Sequence, residues 1–425
     1  MRMSLVELEL QLETPLFAGG HDPLQLDDLW ILRPSEIKGV WRWWARALVA
    51  GALYDAGELR GRSRGGILKA PEPKKEAERI SRLVGVEMGL GYADPRGRLS
   101  RASSYSLIVE PVDADRVDKF KRSYQGGPLT FQLGSRQVRL SLQRLGLLAL
   151  GRPHGWSAGY LAPGARFWLK VEKQLEARRE AVEAALLALS LALTFSCFGK
   201  GGRRGLGCLR VVRATGEYAK LFDARMRASE KVARAINAVR RMVGIAAVES
   251  EAGELPPLPS VSARELAGGY VVRGHTLRPF QLLEVRGADA WRLLEELHNF
   301  FLRTTRARRL LGDPKAPDAL RQKLAAWVLG LPREQRGTGY RIQGGDISRR
   351  ASPLLLAVHE VEREGVAYLS VFASADWPAQ LSWSGSTTQQ ITISEKNVAE
   401  ALIAAVDEFW DYAVNCGFKV SLVWP

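Results

Sequence analysis

Apolar and polar positions alternate strictly from Glu7 to Glu13, with Leu8, Leu10 and Leu12 set between Glu7, Glu9, Gln11 and Glu13. A period of two means one buried face, so Met3–Glu13 is predicted to be a half-buried strand. It ends at the Pro- and Gly-marked loop TPLFAGGHD, Thr14 to Asp22. The period then changes. In RPSEIKGVWRWWARAL, Arg33 to Leu48, the residues Val40, Trp41, Trp44, Ala47 and Leu48 share one face at 100° per residue, which predicts a helix over Ser35–Tyr54 with Pro34 at its start. Short strand patterns follow at Tyr105–Val112, Leu129–Leu133, Arg136–Leu142 and Phe167–Val171. Glu176–Cys197 is an almost wholly apolar helix, and CLRVV, Cys208 to Val212, a short strand. The order strand, helix, strands, helix, strand predicts a βαββαβ ferredoxin-like unit carrying loop insertions.

The second half repeats that order loosely. A helical pattern over Lys220–Val248 opens it, and the Pro-rich ELPPLPSVS, Glu254 to Ser262, breaks it. Strands are expected at Gly269–Val272 and Phe280–Val285, helices at Asp289–Leu311 and Ala316–Leu331, and a hairpin across Arg363–Gly365. Ser394 caps a last helix with Val398, Leu402, Val406 and Phe409 at core spacing, and Phe418–Trp424 is a final strand. The expected fold class is therefore α+β, with two tandem ferredoxin-like (RRM-like) domains spanning residues 1–216 and 217–425. No repeat is visible in the residues themselves.

Composition adds a sign to this plan. The chain has 425 residues, and 61 Lys+Arg against 46 Asp+Glu give a formal charge of +15. A surplus of that size favours a polyanion, RNA or DNA before an anionic membrane. The three cysteines, Cys197, Cys208 and Cys416, form no CxxC pair, so reduced, buried thiols and a cytoplasmic setting are expected. The charged run Met1–Glu13 does not read as a secretory signal. The longest charge-free apolar run, Ala184–Phe198, falls short of the ~18 residues of a spanning helix. The five histidines are scattered without HxxxH spacing, so neither a metal nor another cofactor is expected.

The candidate chemistry is a pair of basic features. FGKGGRRGLG, Phe198 to Gly207, combines five glycines with Lys200, Arg203 and Arg204. Glycine lets a backbone approach a ligand closely, and the loop suits a phosphate chain. It is not a Walker A loop, because Lys200 precedes Gly201 and a strand follows, and it does not match GxGxxG. No GxSxG elbow occurs. On the helix before it, Lys38, Arg42 and Arg46 lie at i, i+4 spacing, where like charges repel, so an anion is expected near them. If both features lie on one domain, helix face and loop would form two walls of one RNA track. Trp41 and Trp44 are expected in the core, with Trp43 off the main apolar face. The basic loop RGRSRGG, Arg60 to Gly66, suits either an RNA backbone or a plain insertion, and Arg303, Arg306, Arg308 and Arg309 suit the C-terminal end of a helix dipole. His21, beside Gly19-Gly20, leaves open a second function: a metal-independent endoribonuclease with His21 as general acid/base.

Taken together, TPLFAGG, RPSEIKGVWRWWARAL and FGKGGRRGLG resemble the RAMP superfamily of CRISPR proteins. Within it they look most like the first RAMP subunit of the type III-B effector, the Cmr complex. GLPREQRG and RRASPLLLAV, Gly330–Gly337 and Arg349–Val358, are similar to that subunit too. The resemblance implies a non-catalytic RNA-binding subunit that helps capture target RNA. Its partners would be guide RNA, single-stranded target RNA and the other Cmr subunits, with no small-molecule substrate. Carried over residue by residue, the RNA-binding set is Arg33, Lys38, Arg42, Arg46, Lys200, Arg203, Arg204, Arg349 and Arg350.

Overall fold

A computed structural model describes residues 3–19, 32–59, 63–64, 67–68, 73–94, 97, 99–112, 118–142, 145, 157–246, 248–301, 319–335, 338–343, 349–361, 364–385 and 387–425. His21, most of Arg60–Gly66, and Arg303, Arg306, Arg308 and Arg309 lie outside them.

The chain is a mixed α+β protein with several antiparallel sheets. In order, the elements of the first half are β1 (Met3–Leu12), α1 (Pro34–Asp55), α2 (Pro73–Arg82), β2 (Tyr105–Pro111), β3 (Arg166–Lys173), α3 (Arg179–Phe195) and β4 (Leu209–Thr215). The four strands make one sheet in the order β4-β1-β3-β2, every neighbour antiparallel. The alternation in β1 does what its period demands: Leu8, Leu10 and Leu12 are fully buried while Glu7, Glu9 and Gln11 stay on the open face. Opposite them, Trp41 Nε1 donates to the Ala185 carbonyl (2.6 Å) and Trp44 Nε1 to Ser196 Oγ (2.8 Å). The core reading of these two indoles therefore holds, each buried with its one polar atom satisfied.

The second half runs α4 (Ala228–Val243), β5 (Phe280–Gly287), α5 (Ala290–Phe300), β6 (Leu354–Val361), β7 (Glu364–Phe372), α6 (Glu395–Asn415) and β8 (Lys419–Trp424). Its main sheet has the order β6-β7-β5-β8, again antiparallel throughout. Ser394 caps α6 in a full capping box with Asn397. Arg333–Gln335 and Thr338–Ile342 join a second four-stranded sheet with Gln380–Ser384 and Thr388–Thr392. The helix expected over Ala316–Leu331 is, where described, a short helix at Ala319–Gln322 and a 3-10 turn at Ala326–Leu329.

The two sheets are not independent bodies. One face of the second carries Leu283, Leu356 and Leu369 into its own core. The other presents Phe280, Leu282, Leu355 and Phe372 to the core built on α1 and α3. Trp43, off the main apolar face of α1, is used here: its ring meets Phe372 edge-on at 5.0 Å. Helix α4 packs against α1 and α3 and so completes the first core. The Pro-rich segment is not a free break either. Tyr54 Oη donates to the Glu254 carbonyl (2.6 Å), Val261 N to the Ala47 carbonyl (2.8 Å), and the buried Asp55 carboxylate accepts from both Ser262 Oγ and Arg240. Across the seam, Glu13 joins Arg210 (2.6 Å) to His359 Nδ1 (2.8 Å), whose Nε2 faces the Thr194 carbonyl (2.8 Å).

Lys231 on α4 gives this core a pH signature. It is buried, donates to Thr194 Oγ1 at 3.2 Å, and burial pushes its ammonium down to about 8 against the weaker pull of Asp223. Below pH ~8 both folded and unfolded chains hold the proton and the burial penalty is fully felt. Between about 8 and the ordinary lysine value near 10.5 the unfolded chain binds the extra proton, so stability rises with pH. Lys231→Met is expected to raise stability at pH 7 by up to about 3 kcal/mol and to flatten that rise. Urea unfolding at pH 7 and pH 10 measures both, and a rise that persists in the variant assigns it to another group.

Candidate nucleic-acid interface

The basic face of α1 lines a groove. Lys38, Arg42 and Arg46 form one wall. The other is made by Ala77, Glu78 and Ser81 of α2 and by two short paired segments, Tyr92–Ala93 and Ser100–Arg101, that bring in Tyr92, Asp94 and Arg101. The cavity volume is about 780 Å³, within the size range of small-molecule sites. Arg42 sets the spacing between the walls, since its Nε donates to the Leu90 carbonyl at 2.9 Å. Leu90 follows a π-helical turn, Leu83–Glu87, a local geometry often found at functional sites. Burial pushes Lys38, Arg42 and Arg46 below their ordinary values, and the charge of Arg42 adds to this for Lys38 and Arg46. Three like charges held close and partly desolvated are stabilised by an anion. Arg101 also lines an adjoining cavity of about 310 Å³ with Glu87, Glu176 and Arg178, where two carboxylates balance two guanidinium groups.

The glycine loop lies elsewhere. On α1, Glu36 and Trp43 fall on one side and Lys38 and Arg42 about 100–160° round from them, with Arg46 nearer Trp43, by the 3.6-residue repeat. The loop meets the former side: Gly199 N–H donates to the Glu36 carboxylate, and Arg203 sits 5.6 Å from the Trp43 ring. Burial raises the Glu36 carboxyl, opposed by the Gly199 hydrogen bond and by Arg33, which occupies the N-cap position of α1. Helix face and loop thus do not form two walls of one track.

The loop's cations go mostly to protein. Lys200 pairs its backbone with Phe17, its N–H donating to the Phe17 carbonyl at 2.9 Å. Arg203 Nη1 donates to the Ser352 carbonyl at 2.8 Å, and burial with the nearby charge of Arg350 pushes its guanidinium down to about 10. Arg204 is buried and donates to the carbonyls of Leu329 (3.1 Å) and Leu354 (3.3 Å), with its guanidinium 3.9 Å from the Phe301 ring. Arg350 is buried too, on the Asp376 carboxylate at 2.8 Å and 4.7 Å from the Trp377 ring. The structure brings Arg203, Arg204 and Arg350 together, at the seam between the halves. Arg204 and Arg350, expected as RNA ligands, are here buried against carbonyls and a carboxylate of the protein. Arg349 remains exposed beside this seam.

The cysteine expectation is also corrected. Cys197 and Cys208 are antiparallel bridge partners at the base of the loop, with Cα atoms 4.1 Å apart, and form a disulfide; Cys416 is a buried free thiol. The end of α3 and the start of β4 are forced side by side by the sheet, which the spacing of 11 does not reveal. Among the described residues, no group of three or more His, Cys, Asp or Glu is placed to hold a metal ion, and no helix is long and apolar enough to cross a membrane.

The groove missed by sequence reasoning is its second wall. Tyr92, Asp94, Glu78 and Arg101 lie in short segments without periodicity, and the one signal was the Gly- and Ser-rich spacing of Gly85–Ser104, which demands tight turns.

A cationic groove on an antiparallel α+β scaffold has the charge to hold a polyanion. Residues 9–210 match the family model for the RAMP superfamily. A chain of the type III-B Cmr-beta cryo-EM structure bound to cognate target RNA is similar over 96% of this chain and 100% of its own, with 14% identity and a TM-score of 0.51. Cmr1 from Pyrococcus furiosus, in its apo crystal form, aligns over 99% of this chain and 98% of its own with 18% identity and a TM-score of 0.49. At such identities likeness speaks for the fold alone. No curated protein sequence matches the chain.

Proposed function

We propose that this chain is a non-catalytic RNA-binding subunit of a type III-B CRISPR (Cmr) ribonucleoprotein, and that it holds guide or single-stranded target RNA along the α1 groove and so helps capture the target. The carrying observation is the groove itself: Lys38, Arg42 and Arg46 on one helix face, joined by Arg101, around about 780 Å³ of space. The superfamily match and the fold shared with a chain of the target-bound Cmr-beta structure support the reading. The two units are read as tandem ferredoxin-like domains, 1–216 and 217–425, because both main sheets have the strand order fourth-first-third-second; α4 then crosses the boundary to complete the first core.

The test is the double variant Lys38→Ala/Arg46→Ala, which leaves the Arg42 anchor intact. Two lost phosphate contacts at about 1 kcal/mol each predict roughly a 30-fold weaker affinity for single-stranded RNA at fixed salt, with the log–log salt slope shallower by about 1.4. Unchanged affinity and slope would remove the groove from the RNA path. Incubating wild type with RNA in EDTA is expected to leave the RNA intact. Cleavage there that vanishes in His21→Ala would instead establish the endoribonuclease reading.

A further inference from the structure

One feature of the groove is not explained by a phosphate backbone, and it is chemical. The wall facing the cations carries two carboxylates, Glu78 and Asp94, and one aromatic ring, Tyr92. Carboxylates repel phosphate but accept hydrogen bonds from N–H groups, and an aromatic face stacks on a base. We propose that the groove captures one unstacked nucleotide, with its base against Tyr92, its donor edge toward Glu78 and Asp94, and its phosphate on Lys38, Arg46 and Arg101. This rests on the RNA-binding reading above and adds base selection to it.

The wall is fixed in place by its own backbone. Gly85, in the π-helical turn, leaves no room for a side chain: a Cβ there would lie 2.6 Å from Cβ of Tyr92 and 2.7 Å from the Gly91 carbonyl oxygen. Tyr92 therefore sits directly on the turn that Arg42 clamps through Leu90. Ser103 Oγ (3.3 Å) and Ser104 N (2.7 Å) both donate to the Gly89 carbonyl just past the same turn and hold its far side. Burial, then the charges of Glu78 and Asp94, push the Tyr92 hydroxyl up, opposed by Arg82. The hydroxyl stays protonated and lies within the field of both acids.

This acceptor pair selects among bases. Guanine presents N1–H and the N2 amino group side by side, a match for one carboxylate. Adenine and cytosine offer one amino group each. Uracil offers a single N3–H between two carbonyl oxygens, which carboxylates disfavour. The expected order is guanine first and uracil last.

The probes are labelled RNA pentamers, UUGUU and UUUUU, with binding measured by anisotropy on the full chain. Wild type is expected to prefer UUGUU by about tenfold or more, in line with a good bidentate base contact. Glu78→Gln and Asp94→Asn should collapse that preference while leaving UUUUU affinity equal or slightly higher, as a negative charge is removed. Tyr92→Leu should weaken UUGUU by about 5- to 100-fold, the range for one stacked base, whereas Tyr92→Phe, which keeps the ring, should retain it. The proposal is overturned if wild type binds both pentamers equally, or if neither carboxylate variant alters the ratio. Should Lys38→Ala/Arg46→Ala weaken both pentamers in that case, the groove is a plain phosphate track and the RNA-binding reading survives. If that double variant also changes nothing, both readings fail.

Discussion

Replacing Gly51 with alanine is expected to destabilise the protein by about 3–4 kcal/mol, although alanine is the better helix former. Gly51 lies in the interior of α1, where Gly→Ala ordinarily gains up to about 1 kcal/mol. Here the Pro-rich strap crosses the helix at that residue. An added Cβ would lie 2.0 Å from the Val261 carbonyl oxygen and 2.6 Å from its carbon. Both neighbours are backbone, so nothing can rotate away, and the strap has to lift. Lifting it breaks the bond from Val261 N to the Ala47 carbonyl and pulls Ser262 from the buried Asp55 carboxylate, which keeps Arg240 alone. Gly39→Ala on the same helix is the control. A Cβ there meets nothing within 4 Å, so the propensity gain should appear undiluted. Urea denaturation of the two variants reads the difference directly. A Gly51→Ala chain as stable as Gly39→Ala would mean that the strap does not lie on α1.

The same contact shows where sequence reasoning reaches and where it stops. β1, α1, the capped helix α6 and the β6–β7 hairpin were all legible, because each declares itself through local periodicity or a cap. The hairpin forms, but its turn falls earlier than the expected Arg363–Gly365, since Val361 already pairs with Glu364 and Glu360 with Gly365. ELPPLPSVS reads as a break because proline excludes regular structure. What it packs on is decided by a glycine some 200 positions away, and no local pattern encodes that pairing. The candidate site divides in the same way. The Lys38/Arg42/Arg46 face was legible from i, i+4 spacing and does line a groove. The groove's other wall comes from two-residue strands with no period to read. The glycine loop is ambiguous for a physical reason: backbone amides and guanidinium groups that would hold a phosphate hold a carboxylate or a row of carbonyl oxygens equally well. Composition sees the donors and not the acceptor.

That ambiguity carries the second large effect. Arg204→Met is expected to lower stability by about 3–5 kcal/mol and to leave RNA affinity unchanged wherever the chain is folded. The methionine keeps roughly the length of the side chain but strands two buried carbonyls, those of Leu329 and Leu354, and each unpaired group costs about 1–3 kcal/mol. The stack of Arg204 on Phe301 is lost as well. The loop backbone reinforces the expectation. Arg204 forms an isolated parallel β-bridge with Leu356, its carbonyl faces His298 Nδ1 at 3.0 Å, and the loop is closed at its base by the Cys197–Cys208 disulfide. Gly207, with φ +79°, brings the loop back so tightly that a Cβ would lie 2.1 Å from the Phe198 carbonyl oxygen. A loop tied down at this many points is a pin between the two halves. Lys38→Ala/Arg46→Ala should behave in the opposite way, with full stability and weakened RNA binding, because those side chains end in a solvent-open groove. Denaturation and RNA titration on both variants separate the roles. An Arg204→Met protein with wild-type stability and weakened RNA binding would move the RNA path from the groove to the loop.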